Sequence, residues 1–391
     1  MSADSSVPRS NSWAPPFLAA LCADDSSVLS QWIAHQRLSE DRAHWLVAQG
    51  LGPYIFFRLR RAKCFDQLSA ETQSILAGTH YLSAAQRVLF STELHGLLTD
   101  LHQVGIEPIV LKGAAFGVTL YPALETRPIS DVDLLIAPDQ LSSVRAVSVQ
   151  RGYRDLGLPS DQATEIDSVL KIWREYPDHQ KIMLEIHWQL FHELNAYRQI
   201  GLEDFRSRAV QVTSHTPAFW VLNNVDQLIH ACAHLSLHHA QSWNLLWLLD
   251  LRLLVQRHAG TWNWREVAER AASLELSGSA RFWLKIAQNW FGKFVPAQAW
   301  AELNRFPISK LETHYLERAQ AQATPIWRSA LRPLQGLHSV TAKVVYVWRL
   351  LFPPWTYMQF RYHATSRLLA PVYYGWRLLR AIAVAFRKNL P

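Results

Sequence analysis

The residues from Ile109 to Pro138, IVLKGAAFGVTLYPALETRPISDVDLLIAP, constrain the fold more than any other stretch of this chain. An apolar run ends at Lys112-Gly113, and a second apolar run carries Asp131 and Asp133 with one residue between them. Side chains two apart on a strand project from the same face of a sheet. We therefore expect the two carboxylates to converge beside a glycine turn, where they suit a hard cation and the phosphates that it holds. This pattern predicts nucleotidyl transfer.

Residues beside the glycine turn are suited to the phosphates of a nucleotide. Gly113 closes a strand and opens a helix, so backbone N–H groups can meet an anion at the helix N-terminus. Lys112 adds a positive charge within reach of a triphosphate; a solvated charge beside the turn is the alternative interpretation. Ser130, directly before Asp131, is assigned to the same nucleotide-binding set.

Arg127, four residues before Asp131, has two interpretations that the sequence leaves open. Its guanidinium can form two parallel hydrogen bonds to the oxygens of a phosphate, which would add it to the nucleotide-binding set. It can equally form a structural ion pair with a nearby acid.

Glu185 lies in a later alternating run, MLEIHW, and can supply a third carboxylate. It would act as a metal ligand or as the base for the attacking hydroxyl; the alternative is a solvent-facing residue on an edge strand. His187 shares the face of Glu185 on such a strand. It could orient Glu185 or contact substrate, and a structural, hydrogen-bonded histidine is the alternative.

Hydrophobic periodicity divides the chain into helical and mixed parts. Helical spacing runs from residue 17 to 104 and resumes at about 200. Short β-branched or alternating runs predict strands at Ile109–Leu111, Asp131–Ile136, Ser168–Trp173 and Lys181–Trp188, with helices at 114–121 and 139–151. The predicted fold class is α+β, a small mixed β-sheet core with helices, embedded in a largely helical chain. The predicted segments are a disordered lead (1–16), an N-terminal helical region (17–105), an α/β core (106–200), a C-terminal helical domain (201–330) and a basic aromatic helical tail (331–391).

Composition limits the class of protein further. With 391 residues, 49% of them hydrophobic, the chain can bury a substantial core. Its three cysteines, Cys22, Cys64 and Cys232, are far apart and favour a reducing, cytoplasmic setting over a disulfide framework. The first sixteen residues lack the apolar segment of a signal peptide, and no window has the apolar length that spans a bilayer.

A second candidate site consists of His230, His234 and His238, spaced by four along one helical face, with His239 adjacent. Such spacing can hold zinc. Because no Glu lies between them in the H-E-x-x-H manner and Asp250 is the nearest downstream acid, other roles are favoured. The histidines would then line a cleft between the helical and α/β parts or make buried polar contacts.

The net charge of +7 is unevenly distributed. Residues 318–391 contain 11 Lys and Arg and no acidic residue, which leaves 28 basic against 32 acidic residues before them. Aromatic residues alternate with these arginines, an arrangement that suits an anionic membrane surface or a nucleic acid. The apolar content of LLAPVYYGWRLLRAIAVAF favours peripheral membrane contact or a helix packed on the body of the protein, and makes nucleic acid the weaker interpretation.

Several motifs together resemble a known superfamily. A strand, a glycine turn, a helix and a strand with D-h-D (h, hydrophobic), followed by a later strand with another carboxylate, resemble the DNA polymerase β-type nucleotidyltransferases. More narrowly, LKGAAFGVTLYP, RPISDVDLLI and LEIHWQL are similar to a bacterial family of uncharacterised nucleotidyltransferases. The later segments HACAHLSLHHAQSWNLLWLLDLRLLV and LLFPPWTYMQFRY are similar to its C-terminal half, so the resemblance extends from about Leu82 onward.

The resemblance implies specific residue roles. Asp131, Asp133 and Glu185 would be the catalytic residues and ligate the metal, and the phosphates would lie near Lys112 and Gly113. This chain has Lys-Gly-Ala where the superfamily turn is typically Gly-Gly or Gly-Ser, and Glu185 where the superfamily more often has Asp.

Two function hypotheses follow. In the first, the protein transfers a nucleoside monophosphate from an NTP to an acceptor hydroxyl, with Mg²⁺ as cofactor and Mn²⁺ as the alternative ion. In the second, the departures in the turn reflect a catalytically weak or inactive nucleotide-binding scaffold at the inner face of the membrane. The sequence indicates neither the acceptor, nor the preferred base, nor the oligomeric state.

Overall fold

The computed structural model describes residues 11–155, 169–176, 180–191, 200–240, 242–320, 340–353 and 355–387. Within these ranges the fold is α+β, as predicted, with a mixed β-sheet and a majority of helical residues. The helices are α1 (Ala14–Leu21), α2 (Ser26–His35), α3 (Glu40–Ala48), α4 (Gly52–Arg61), α5 (Ala70–Gln103), α6 (Lys112–Thr119), α7 (Leu141–Gln150), α8 (Leu202–Arg206), α9 (Asn224–Leu237), α10 (Leu245–His258), α11 (Trp264–Ser273), α12 (Ser277–Phe291), α13 (Ala297–Leu303), α14 (Lys310–Gln320), α15 (Val340–Leu351), α16 (Trp355–Tyr362) and α17 (Ala370–Arg387).

The strands form a sheet in the order β3-β4-β5-β2-β1-β7-β6. They are β1 (Ile109–Leu111), β2 (Asp131–Leu135), β3 (Arg154–Asp155), β4 (Val169–Glu175), β5 (Lys181–His187), β6 (Val210–Val212) and β7 (Phe219–Val221). The sheet is mixed because β1 pairs with β7 in parallel, whereas β3 with β4, β4 with β5, and β6 with β7 pair antiparallel. β1 has the predicted bounds, and β2 and β5 each end one residue before the predicted end.

Local sequence explains where many helices begin. The side chains of Asp25, Asn223 and Asn263 each accept a hydrogen bond from a backbone N–H in the first turn of α2, α9 and α11. Such caps satisfy donors that have no partner inside the helix. Gly105, two residues after α5, has a φ of +75°, a left-handed conformation that glycine adopts without a steric penalty.

Residue contacts divide the chain into two compact units. The first comprises Met1–Gly96, Ile109–Val132 and Phe205–Gln320, and the second comprises Leu97–Pro108, Asp133–Asp204 and Ala321–Pro391. The first unit contains a large apolar core in which Phe17, Trp264 and Trp283 are almost fully buried. The second contains the long β4–β5 hairpin, whose seven residue pairs run from Val169 opposite His187 to Glu175 opposite Lys181.

Several sequence predictions need adjustment. Residues 14–16, placed in the disordered lead, belong to α1: Pro15 and Pro16 occupy its first turn, where a missing N–H costs no helical hydrogen bond. Residues 1–10 of that lead, and Ser168 at the start of a predicted strand, lie outside the described residues. The short strands β3, β6 and β7 were not predicted. The five-segment division stays a prediction.

Candidate functional site

Three side chains of the second unit form a cluster of possible metal ligands. Asp133 lies on β2, and Glu185 and His187 lie on β5; one ligand atom from each falls within 4.8 Å of the other two. Among the described residues, no other group of three or more His, Cys, Asp or Glu side chains has ligand atoms this close together. Two of the three predicted carboxylates, Asp133 and Glu185, are therefore in it.

The alternation of β5 places Glu185 and His187 on one face. Ile182, Leu184 and Ile186 point into the core and are fully buried, whereas the residues between them are half-buried. The backbone N–H of Ile136 donates to the carbonyl of His187 at 2.9 Å, which holds the end of β5 beside the end of β2. Backbone pairing therefore sets the distance from Asp133 to His187.

A hydrogen bond joins His187 to Asp133, and Glu185 lies close to His187. Nε2 of His187 lies 2.9 Å from Oδ1 of Asp133 and 3.8 Å from Oε2 of Glu185. The Asp133 side chain is 2% exposed, whereas those of Glu185 and His187 are each 12% exposed. Asp133 is thus the interior member of the group, and the other two face toward solvent.

Lys171 balances the charge of Glu185. The two residues are directly opposite each other on β4 and β5, and the ammonium forms an ion pair with Oε1 of Glu185. The Lys171 side chain is about half exposed, so it can move aside into water. Glu185 can consequently exchange this partner for another cation.

The donor set fits a divalent metal ion. Two carboxylates supply the hard oxygen ligands that Mg²⁺ and Mn²⁺ prefer, and an imidazole is compatible with Mn²⁺ and other transition metals. His187 has a second possible role, because carboxylates that ligate a metal are commonly oriented by a hydrogen bond from a neighbouring group. The hydrogen bond between His187 and Asp133 supplies that orientation.

Asp131 stands outside this cluster of three. It lies two residues before Asp133 on β2, is half-buried, and accepts a hydrogen bond at 3.1 Å from the hydroxyl of Ser130. The third member of the cluster is therefore His187, whereas the sequence pattern predicts Asp131. The E-x-H spacing on β5 is the signal that could have identified His187 as a ligand.

Arg127 forms a buried ion pair with Asp250 of α10. Nε donates to Oδ1 at 3.0 Å and Nη2 to Oδ2 at 2.7 Å, and the two side chains are 6% and 2% exposed. Nη1 donates to the carbonyl of Pro128, and the hydroxyl of Tyr121 donates to Asp250 at 2.7 Å. Burial alone would lower the pKa of Arg127, but the Asp250 carboxylate raises it above its usual value.

These contacts correspond to the structural alternative that the sequence left open for Arg127. All three of its nitrogens donate within the protein, and the guanidinium also lies 5.7 Å from the ring of Phe116. We therefore propose that Arg127 holds the start of α6 and α10 in place and does not bind phosphate.

Gly113 leaves the space that the guanidinium of Arg127 occupies in this ion pair. A Cβ at this position would collide with Nη1 of Arg127, so only glycine allows the start of α6 to pack on the guanidinium.

Lys112 has a φ of +45°, a left-handed conformation that is unfavourable for a side-chain-bearing residue. The residue before the helix, Leu111, provides no side-chain cap for the first N–H groups of α6.

The model of a family described as uncharacterised nucleotidyltransferases matches residues 39–292, more than half of the chain and a range that includes every predicted site residue. The chain belongs to this nucleotidyltransferase family. No curated protein matches it.

The histidine face, His230, His234, His238 and His239, lies on α9 and directly after it. The ring of His234 is 6.4 Å from that of His230, 5.4 Å from that of His238 and 4.6 Å from that of His239. Burial lowers the pKa of His234 well below its usual value, and the positive charge of Lys112 lowers it further. In the described residues no three of these imidazoles form a metal-ligand group, so the zinc interpretation gains no support.

Breaking the Arg127–Asp250 pair should destabilise the protein strongly. Arg127→Met leaves Asp250 buried without its cation, and such a loss costs about 3–5 kcal/mol of unfolding free energy. Chemical denaturation of Arg127→Met measures it. Arg60→Met is the matched control, because Arg60 pairs with Asp66 at the surface, where an ion pair contributes about 0–1 kcal/mol. Equal losses in the two variants would contradict the assignment.

Proposed function

We propose that this protein transfers a nucleoside monophosphate from an NTP to the hydroxyl of an acceptor and releases pyrophosphate. The observation that carries the proposal is the cluster of Asp133, Glu185 and His187 in a member of a nucleotidyltransferase family. In the reaction the acceptor oxygen forms a bond to the α-phosphorus, and the bond from that phosphorus to the bridging oxygen breaks. Pyrophosphate leaves with the electron pair of that bond.

Asp133 and Glu185 would hold the divalent ion, Mg²⁺ with Mn²⁺ as the alternative. A bound divalent ion neutralises phosphate charge and orients the reacting oxygens. Asp131, from its place on the same strand as Asp133, would supply a further carboxylate, as the sequence analysis expected. His187 would fix the orientation of Asp133 or ligate the ion itself, and its position near Glu185 also allows contact with the acceptor.

Glu185 is suited to the attacking side of the reaction. Its side chain is more exposed than that of Asp133, so an acceptor can approach it from solvent. A carboxylate oxygen of Glu185 would take the proton that leaves the acceptor hydroxyl. Lys171 would release Glu185 when the ion binds.

Lys112, Gly113 and Ser130 would contact the nucleotide. Leu111 does not cap the first N–H groups of α6 with its side chain, and the positive end of a helix favours an anion. The left-handed backbone of Lys112 supports a functional role, because residues held in such a conformation concentrate at ligand-binding sites. Ser130 would position Asp131 through the hydrogen bond between them.

Replacing the metal-binding carboxylate should abolish transfer without unfolding the protein. We expect Asp133→Asn to lose label transfer from an α-³²P-labelled NTP by about 100-fold or more, because several kcal/mol of charge stabilisation depend on the bound ion. Cell extract supplies the acceptor, and circular dichroism confirms folding. Asp139→Asn, at an exposed acid, is the control and should retain activity. Full activity in Asp133→Asn would overturn the proposal.

The alternative function is a nucleotide-binding scaffold with little or no turnover. The Lys112-Gly113-Ala114 sequence, which replaces the usual pair of small residues, favours it. The same labelled NTPs distinguish the two functions. Binding that depends on Mg²⁺, without transfer to any acceptor in the extract, would support the scaffold.

A specific observation on the tail supports contact with a membrane. Helices α15 and α17 are joined by hydrogen bonds from Arg377 to the carbonyls of Leu350 and Leu351. Large apolar side chains are exposed on both helices and beside them. Val340, the first residue of α15, is 75% exposed, and Leu368, just before α17, is 92% exposed. The others on these helices or at their ends are Val344, Trp348, Leu351, Phe352, Leu369, Val372, Trp376 and Leu379.

These exposed residues lie in the segment that contains basic residues and no acid. Apolar side chains with nearby arginines bind the interface of an anionic bilayer. Across the described residues, no helix combines the length and the apolar character needed to traverse a bilayer. We therefore propose peripheral contact at the cytoplasmic face of the membrane.

Co-sedimentation with liposomes tests this contact. We expect binding to vesicles containing phosphatidylserine, weak binding to pure phosphatidylcholine, and a decrease with added salt. Trp348→Glu combined with Leu379→Glu should reduce binding about tenfold or more, because two apolar groups are lost and two negative charges are added. Val149→Glu, at an exposed apolar residue on α7, is the control. Equal binding by all three proteins would contradict the proposal, and binding to RNA instead would favour nucleic acid.

A further inference from the structure

Arg87 is a buried cation that forms no ion pair with a carboxylate in the described part of the chain. It lies on α5 and is 6% exposed. Within the described part of the chain, its Nε has no hydrogen-bond partner and no carboxylate oxygen lies within 4.0 Å of its guanidinium. Buried charges in proteins are normally paired, so this arginine requires an explanation.

The guanidinium of Arg87 packs against α6. A Cβ placed on Gly117 would lie 2.5 Å from Nη2 of Arg87, so glycine at this position makes room for the guanidinium. Gly113 does the same for Arg127. Because Gly113 and Gly117 are four residues apart, they share one face of α6, and two guanidiniums pack along that face.

The two arginines differ in how their charge is balanced. Arg127 is paired with Asp250, whereas the positive charge of Arg127 disfavours the charged form of Arg87 more than the negative charge of Glu125 favours it. Burial and, after it, the charge of Arg127 lower the pKa of Arg87 to about 10. Arg87 is therefore still charged at neutral pH.

A phosphate group is the anion that this environment fits. A guanidinium binds two phosphate oxygens through parallel hydrogen bonds, which makes arginine a preferred phosphate ligand. Arg87 contacts α6 at Gly117, about one turn after the start of the helix, where Leu111 provides no side-chain cap. The positive end of a helix favours the same kind of ligand. Lys112, at that helix start, adds another positive charge, and several cations suit a polyphosphate better than a single carboxylate.

We propose that Arg87 binds the phosphates that become the pyrophosphate leaving group of the NTP. The assignment rests on the proposed nucleotidyl transfer and adds to it a phosphate ligand from α5, far in sequence from the glycine turn. Arg87 would stabilise negative charge as it develops on the leaving group.

Calorimetric titration with inorganic pyrophosphate, without metal or nucleotide, tests this ligand directly. We expect Arg87→Met to weaken pyrophosphate binding at least tenfold and Arg87→Lys to restore part of it. Removing an unpaired buried charge should not lower stability, so Arg87→Met should melt at or above the temperature of the wild type. A purely structural arginine would give the opposite result, with a lower melting temperature and unchanged affinity.

Two further proteins complete the design. Arg145→Met removes an arginine that pairs with Asp155 in the second unit and should leave pyrophosphate binding unchanged. Asp133→Asn should also bind metal-free pyrophosphate like the wild type, which separates this site from the metal cluster. Unchanged binding in Arg87→Met would overturn the inference. If Arg87→Met does not fold, equal pyrophosphate affinity in Arg87→Lys and the wild type would overturn it.

Discussion

The buried ion pair between Arg127 and Asp250 is the interaction on which the proposed nucleotide site depends. It connects the segment just before β2 to α10, two parts of the chain separated by 123 residues. The same guanidinium fills the space beside Gly113, so it also fixes the start of α6. Because both charges are almost fully buried, loss of either partner leaves the other uncompensated, which makes the arrangement costly to disturb.

Charge balance distinguishes the roles of the other cations. Arg127 is fully paired and acts through packing, whereas Lys171 pairs with Glu185 at the surface and can be displaced. Arg87 is buried, its Nε has no hydrogen-bond partner in the described residues, and the charge of Glu125 offsets that of Arg127 only in part. A buried cation without a partner is costly, so its presence indicates a ligand in a way that a paired one does not. On this basis we assign the proposed phosphate contact to Arg87 and not to Arg127, the arginine closest to the aspartates in sequence.

Local patterns in the sequence predicted much of the sheet near the site. The apolar run at Ile109–Leu111 and the alternation of Lys181–His187 are β1 and β5, because burial of one strand face leaves a direct record in the sequence. β7 was missed because its three residues are held by parallel pairing with β1, an interaction with no local signature. The resemblance to uncharacterised nucleotidyltransferases was confirmed by the family match.

Long-range partners limited the prediction of the site. Glu185 was recognised as a carboxylate on a strand, but its ion pair with Lys171 depends on the register of the β4–β5 hairpin. The pairing of Arg127 with Asp250 depends on tertiary structure, and so does the burial of Arg87. In contrast, the closeness of His187 to Asp133 follows from strand alternation once the neighbouring strands are known.

A crystal structure with Mn²⁺ and a non-hydrolysable NTP analogue would test the metal-dependent account most directly, since the anomalous signal of manganese locates the ion. We expect an anomalous-difference peak of manganese about 2.0–2.3 Å from carboxylate oxygens of Asp133 and Glu185, and Lys171 displaced from Glu185. A structure in which the analogue is bound, the ion pair between Lys171 and Glu185 persists and no manganese lies beside Asp133 would contradict it.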